Sequence, residues 1–267
     1  MRLLKTIGEV TKMERMPVLF VGHGSPMNAI EQNQFSDRWI ALGSELPRPE
    51  AILCVSAHWY TRGYRLNTAA ATNMIYDMYG FPDELYRVQY PAPGSPKFSR
   101  QAKELLGDLA KTDNGWGLDH GAWSVLRRMF PNADIPVFQL SVDAASPLEQ
   151  HYAVGKMLAP LRERGVLILG SGNIVHNLAK VNWSMAGGYS WAEEFDDYIK
   201  TCILAHQDDN VIHYERAGSS AYYAFPTPDH YAPLIYVLGA KSEEDKITVF
   251  NDACVLGSLS MTGYRFG

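Results

Sequence analysis

The stretch MPVLFVGHGSP, residues 16–26, decides how the chain is read. Its apolar run is too short for a helix and is closed by Gly-His-Gly, so it reads as a buried strand that stops at a sharp turn. A histidine that only fills core needs no glycine on either side. Gly22 and Gly24 are expected to turn the backbone and to clear side chains from whatever metal or substrate approaches His23.

Two further stretches repeat this pattern. EAILCVSAHW (50–59) is a strand ending at His58, and VLILGSGN (166–173) is a strand with a glycine turn, followed by His176. Helical spacing runs through QFSDRWIALGSEL (34–46), PKFSRQAKELLGDLA (96–110), DHGAWSVLRRMF (119–130) and SWAEEFDDYIKTCILAHQD (190–208). SPLEQHYAVGKMLAPLRERG (146–165) adds Ser146 as N-cap, Pro147 in the first turn and Gly165 as stop. IPVFQLSVD (135–143) reads as a strand; KITVFND (246–252) and SLSMTGYRFG (258–267) read as closing antiparallel strands. Alternating strand and helix predicts a three-layer α/β/α sandwich with a mostly parallel central sheet and additional antiparallel strands. Residues 1–15 form an N-terminal lead-in, and 16–267 form one catalytic domain. The irregular, Tyr/Pro/Gly-rich segment from Thr61 to Ser95 is long enough to expect a functional loop.

Composition excludes several classes. The chain has 267 residues, 46% of them hydrophobic, and a net charge of -5. That balance lacks the basic field nucleic acid or anionic lipid requires, so neither is an expected partner. Arg162, Arg164 and Lys156 read as a solvated helix end. Three scattered cysteines give no disulfide framework and no zinc motif; Cys54 reads as a small buried hydrophobe, and the location as cytoplasmic. No apolar run has the length of a membrane span. Monomer and small homo-oligomer are both open.

The histidines carry the chemistry. His23 and His58 end strands and His176 follows one; ligands of open α/β sheets bind outside the carboxyl ends of the strands, so all three can converge. In TPDHYAPLIYVLGA (227–240), Thr227 reads as an N-cap and Pro228 as the first helical position, which puts His230 in the first turn, where the helix dipole disfavours imidazolium. His120 also lies near a helix start. His151, His206 and His213 read as ordinary polar-face residues. Histidines without cysteine favour one borderline divalent metal: zinc, iron(II), or less often nickel or copper. Asp119 reads as a helix-start carboxylate, while Asp229 either orients His230 or favours the helix end. Trp59, Tyr60, Trp116, Trp123, Tyr222, Tyr223 and Phe225 offer core or flat walls for a planar substrate. Gly-Ser-Gly-Asn and Gly-His-Gly-Ser match neither nucleotide loop, and no Gly-x-Ser-x-Gly elbow is present.

The motifs GHGSPMNAI, VSAHWYTRG, YPAPGSP, DHGAWSVL, GSGNIVHNL and FPTPDHYAPLIYVLGA, in this order and with a closing GSLSM, resemble the class III extradiol ring-cleavage dioxygenases, the LigB-like family, in its DOPA 4,5-dioxygenase branch. The resemblance covers Met16 to the C-terminus. It implies a three-layer α/β fold and ring cleavage of a catechol such as L-DOPA with O2 at a non-haem metal, Fe(II) for ring cleavage with Zn(II) as another ion the site would hold. It also implies His23, His58 and His230 as metal ligands, His176 as acid/base group or fourth ligand, and His120 as a catalytic-site histidine that either contacts substrate or supports the metal ligands from behind. Relatives that cleave protocatechuate use two histidines and a glutamate, whereas here the third place is histidine. Arg62, Arg65 and Arg87 are the available clamps for an amino-acid carboxylate. A zinc-dependent hydrolase and a non-catalytic metal-binding protein on the same fold are the competing readings.

Overall fold

The computed structural model describes residues 15–267, so the lead-in lies, apart from Arg15, outside the described residues. Strands β1 (Val18–Gly22), β2 (Ala51–Ser56), β3 (Val137–Gln139) and β4 (Val166–Gly172) run parallel. Strands β5 (Ile247–Phe250) and β6 (Gly263–Phe266) extend the sheet antiparallel, giving the order β3-β2-β4-β1-β6-β5. The parallel strands are apolar on both faces because helices cover both. Leu19, Val21, Ile52 and Cys54 face helices α1 (Gln34–Glu45) and α3 (His120–Met129). Val18, Phe20, Leu53 and Val55 face α2 (Pro96–Leu106), α4 (Leu148–Leu158), α5 (Ser190–Leu204) and α6 (Ala232–Ala240). The expected three-layer sandwich is the observed one. No helix among the described residues is long and apolar enough to cross a membrane.

Register is what builds the site. Gly22 pairs with Gly172, and Ser56 pairs with Ser171, so β1, β2 and β4 stop at one level. The His23 N–H continues the ladder to the Gly172 carbonyl at 3.0 Å. Everything that follows these strand ends emerges on one rim of the sheet.

Several local expectations are corrected. The strand expected over 135–143 is two short pieces, β3 and the pair Val142–Asp143. In β4 the glycines do not form a turn; the strand runs through Gly172. Helix α4 begins at Leu148 without a side-chain cap, because the Ser146 hydroxyl donates to Asp143 at 2.7 Å instead. The chain then tightens to a 3-10 turn, Ala159–Arg164, and stops at Gly165 in the left-handed region. The expected helix over 227–240 begins only at Ala232. The Thr227 hydroxyl bonds Asp229 rather than a backbone N–H, and the His230 carbonyl accepts from the Asn173 N–H at 2.9 Å, so residues 227–231 are held as a turn against the end of β4.

Arg162 is not solvated: it is 2% exposed and pairs with Asp245 at 2.7 and 3.0 Å while donating to the carbonyls of Met16 and Ala240. The Met16 N–H returns a bond to the Arg162 carbonyl, and the Met16 side chain is buried. Asp245→Ala leaves a buried guanidinium without its carboxylate. The expected loss is about 3–5 kcal/mol in a chemical-denaturation curve; a loss below ~1 kcal/mol would show that water reaches and solvates the arginine.

Candidate metal centre

Five histidines arrive at the rim. His23 follows β1 directly, His58 lies two residues beyond β2, and His176 lies four beyond β4. His120 opens α3, and His230 sits in the turn before α6. The ring centroids of His23 lie 5.1 Å from His58, 5.2 Å from His230 and 5.8 Å from His120. His58 and His120 are 3.9 Å apart, and His176 stacks on His230 at 3.4 Å with the rings 5° from parallel. One ligand nitrogen from each of His23, His58 and His230 falls within a 4.8 Å set that could hold an ion; His176 is not part of that set.

Hydrogen bonds fix which nitrogen faces inward. The Ser171 hydroxyl donates to the Gly121 carbonyl at 2.6 Å, so it must accept from His23 Nδ1, 3.1 Å away. His58 Nδ1 meets Asp77 Oδ2 at 3.1 Å, and His230 Nδ1 meets Asp229 Oδ2 at 2.5 Å. A carboxylate can only accept, so in each ring Nδ1 carries a proton, and in the neutral ring that a metal requires Nε2 keeps its lone pair. The His230 Nε2 atom is buried and has no hydrogen-bond partner. His23 Nε2 and His58 Nε2 face one another at 3.3 Å. Two bare lone pairs at that distance repel. Two nitrogens each ~2.0–2.1 Å from a shared cation lie roughly 3.0–3.4 Å apart at ordinary coordination angles. The donor set therefore fits a borderline divalent metal, with each ring anchored by an oxygen behind it.

Electrostatics favours the neutral ring at His23, His230 and His176, and the charged ring at His58. Burial, then the neighbouring imidazoles, hold His23 well below its ordinary pKa. The same causes act on His230. The helix end proposed from sequence is not the reason, since His230 precedes α6. Burial lowers His176 to about 4, against a smaller opposing effect of Asp229. At His58 burial lowers the pKa, but the Asp77 hydrogen bond and the charges of Asp119 and Asp77 outweigh it, and the net shift is upward. Burial would raise the Asp77 carboxyl; hydrogen bonds from His120 and His58 overcome it and hold the group well below the usual carboxylate range.

Asp77 is the functional residue that motif reading missed. One oxygen receives the His120 N–H at 2.9 Å and lies 3.0 Å from His120 Nδ1; the other lies against His58. Its only sequence signal is a lone carboxylate in the apolar, aromatic tract of the long irregular segment. That segment also contributes Met78, Tyr79 and Phe81 to a cleft of about 400 Å³ above the histidines. Asp119 caps α3 through the Ala122 N–H at 3.1 Å, as expected, and accepts from Ser56 at 2.6 Å.

Other expectations fail at the site. The space opened by Gly22 is filled by the Met261 backbone, 2.7 Å from where a Cβ would stand, and not by a ligand; Gly24 does turn the chain, at φ 58°. The cleft walls are Tyr79, Phe81 and Trp183, whereas Trp59 stacks on Trp116, and Trp123 is core. None of Arg62, Arg65 and Arg87 lines the cleft. His151 is not on a polar face: it is buried against the Tyr64 hydroxyl at 3.0 Å. His206 is exposed, and His213 lies among acidic side chains.

Residues 17–267 match the family model described as the catalytic LigB subunit of aromatic ring-opening dioxygenase. The chain is 44% identical over 260 residues to a 4,5-DOPA dioxygenase extradiol of Escherichia coli K12, covering 95% of each chain. It is 37% identical over 254 residues to the Beta vulgaris protein of the same name, covering 92% of this chain and 95% of that one. Its fold superposes on the crystal structure of an uncharacterized Escherichia coli K12 protein with a TM-score of 0.84 at 40% identity, covering 95% of this chain and all of the other. The chain belongs to the LigB family of aromatic ring-opening dioxygenases, and it is an extradiol ring-cleavage enzyme that acts through a bound metal on a small aromatic substrate and O2.

Proposed function

We propose that the chain opens the ring of a catechol at an Fe(II) held by His23, His58 and His230, with L-DOPA among its substrates. The observation that carries the ligand assignment is the pair of bare Nε2 lone pairs 3.3 Å apart, with the orphaned His230 Nε2 beside them. The substrate suggestion comes from the names of the relatives. Zn(II) suits the same donors, and ring opening is what argues for iron.

Iron held by these three histidines would supply the binding of catechol and O2 and the redox chemistry of ring opening. The remaining work falls to side chains. His120, with Nδ1 fixed by Asp77, presents Nε2 as a hydrogen-bond acceptor for a substrate hydroxyl. His176, kept neutral by burial and held parallel to His230, takes the second catechol proton and returns one as the ring opens. His176 stands outside the set of nitrogens that can share the ion, which leaves it the acid/base role rather than that of a fourth ligand. Phe81 lines the cleft and offers a flat wall to the planar ring. We place the enzyme in the cytoplasm, in keeping with its three free, buried cysteines.

Metal-free protein reconstituted anaerobically with Fe(II) or Zn(II), then given L-DOPA and oxygen, tests the proposal. Stoichiometric oxygen uptake and a yellow product are expected with iron only. Ester or amide turnover with zinc, and no oxygen uptake with iron, would favour the hydrolase reading instead.

A further inference from the structure

We propose that the cleft selects catechols whose ring substituent is an uncharged apolar arm, alkyl or aryl, over those whose arm ends in a carboxylate. This deepens the catechol reading above and rests on it. The inner end of the cleft is imidazole, and a diol oriented there sends its substituent toward the mouth. The mouth is built from large apolar side chains held in solvent: Tyr79 is 92% exposed, Trp183 78% and Leu178 63%. Such a cluster of exposed apolar surface around a concave site marks a place where apolar ligand is covered.

No cation answers a carboxylate there. Among the described residues, neither lysine nor arginine lines the cleft. Of the arginines proposed from sequence, Arg65 donates to the Arg62 carbonyl and Arg87 pairs with Asp83 at 3.7 Å, and none of Arg62, Arg65 and Arg87 lines the cleft. Lys180 lines the neighbouring groove with Tyr222 and Tyr223. The carboxylates at the cleft are Asp77, which lines it, and Asp229, which holds His230 from behind. An anionic arm would therefore lose hydration without gaining a partner, while a hydrocarbon arm gains burial against Tyr79 and Trp183.

Propylcatechol and dihydroxyhydrocinnamate share ring and arm and differ in the terminal carboxylate, so they isolate the effect. Calorimetry on Zn(II)-loaded protein measures binding without turnover, and kcat/KM on Fe(II)-loaded protein measures cleavage. At least tenfold tighter binding and tenfold higher kcat/KM are expected for propylcatechol, with L-DOPA ranked below it. Trp183→Ala should bring the ratio toward one, and Trp183→Arg should invert it. Equal binding, or preference for the acid, overturns the inference while leaving the dioxygenase reading intact. Selective binding of propylcatechol with no cleavage of any catechol supports the inference about the cleft and overturns the dioxygenase reading.

Discussion

His58→Ala is expected to abolish tight metal binding and ring cleavage together, each by more than 10²-fold. Three neutral imidazoles supply all the donors assigned to the ion, and His58 Nε2 is the partner of His23 Nε2 at 3.3 Å. Losing one ligand removes a bond to the cation itself, so the effect must exceed the 10–100-fold typical of groups that act only from behind a ligand. The fold should survive, because His58 is 18% exposed on its side chain and belongs to the rim rather than the core. Metal content after dialysis, oxygen uptake and the thermal midpoint separate the two effects. Unchanged iron stoichiometry in His58→Ala would remove His58 from the metal site.

Asp77→Asn should lower metal affinity 10–100-fold while leaving every assigned ligand in place. Both Asp77 oxygens accept, one from His120 and the other from His58. An asparagine has one acceptor and one N–H₂ group, so one imidazole N–H must face a donor. His58 then either turns away or moves its proton to Nε2, the atom needed for the ion. Competition for Fe(II) or Zn(II) against a chromophoric chelator reads this directly, without turnover. Asp77→Glu should recover part of the affinity, which a purely structural role for the carboxylate would not require. Equal affinity in Asp77→Asn and the unaltered protein would mean that His58 is oriented by packing alone.

The legible part of this protein is the part written in local pattern. Short apolar runs ending in glycine and histidine marked β1, β2 and β4, and alternation with helical periods marked the three layers, because strands buried on both faces must be continuously apolar. The convergence of His23, His58 and His176 followed from those strand ends. His230 was found by type and motif, but for a wrong local reason. Thr227 and Pro228 look like helix-start chemistry, yet the bond from Asn173 to the His230 carbonyl, 57 positions distant in sequence, keeps that segment a turn, and the helix starts at Ala232 with Pro233 in its first turn. Asp77 was invisible because its role depends on a loop crossing the rim to reach two histidines, and no period or spacing encodes that. Arg162 was misread for a similar reason: its partner Asp245 lies on a distant segment, and charge on a helix end looks solvated until that segment is folded over it.

The most direct test is anomalous scattering, at the iron and zinc edges, from crystals of protein purified without chelators and soaked with the chosen metal. The account predicts one ion per chain, bonded by Nε2 of His23, His58 and His230 with Nδ1 of each ring still on its oxygen partner. An ion bound elsewhere, or one that leaves any of these three nitrogens uncoordinated, would contradict it.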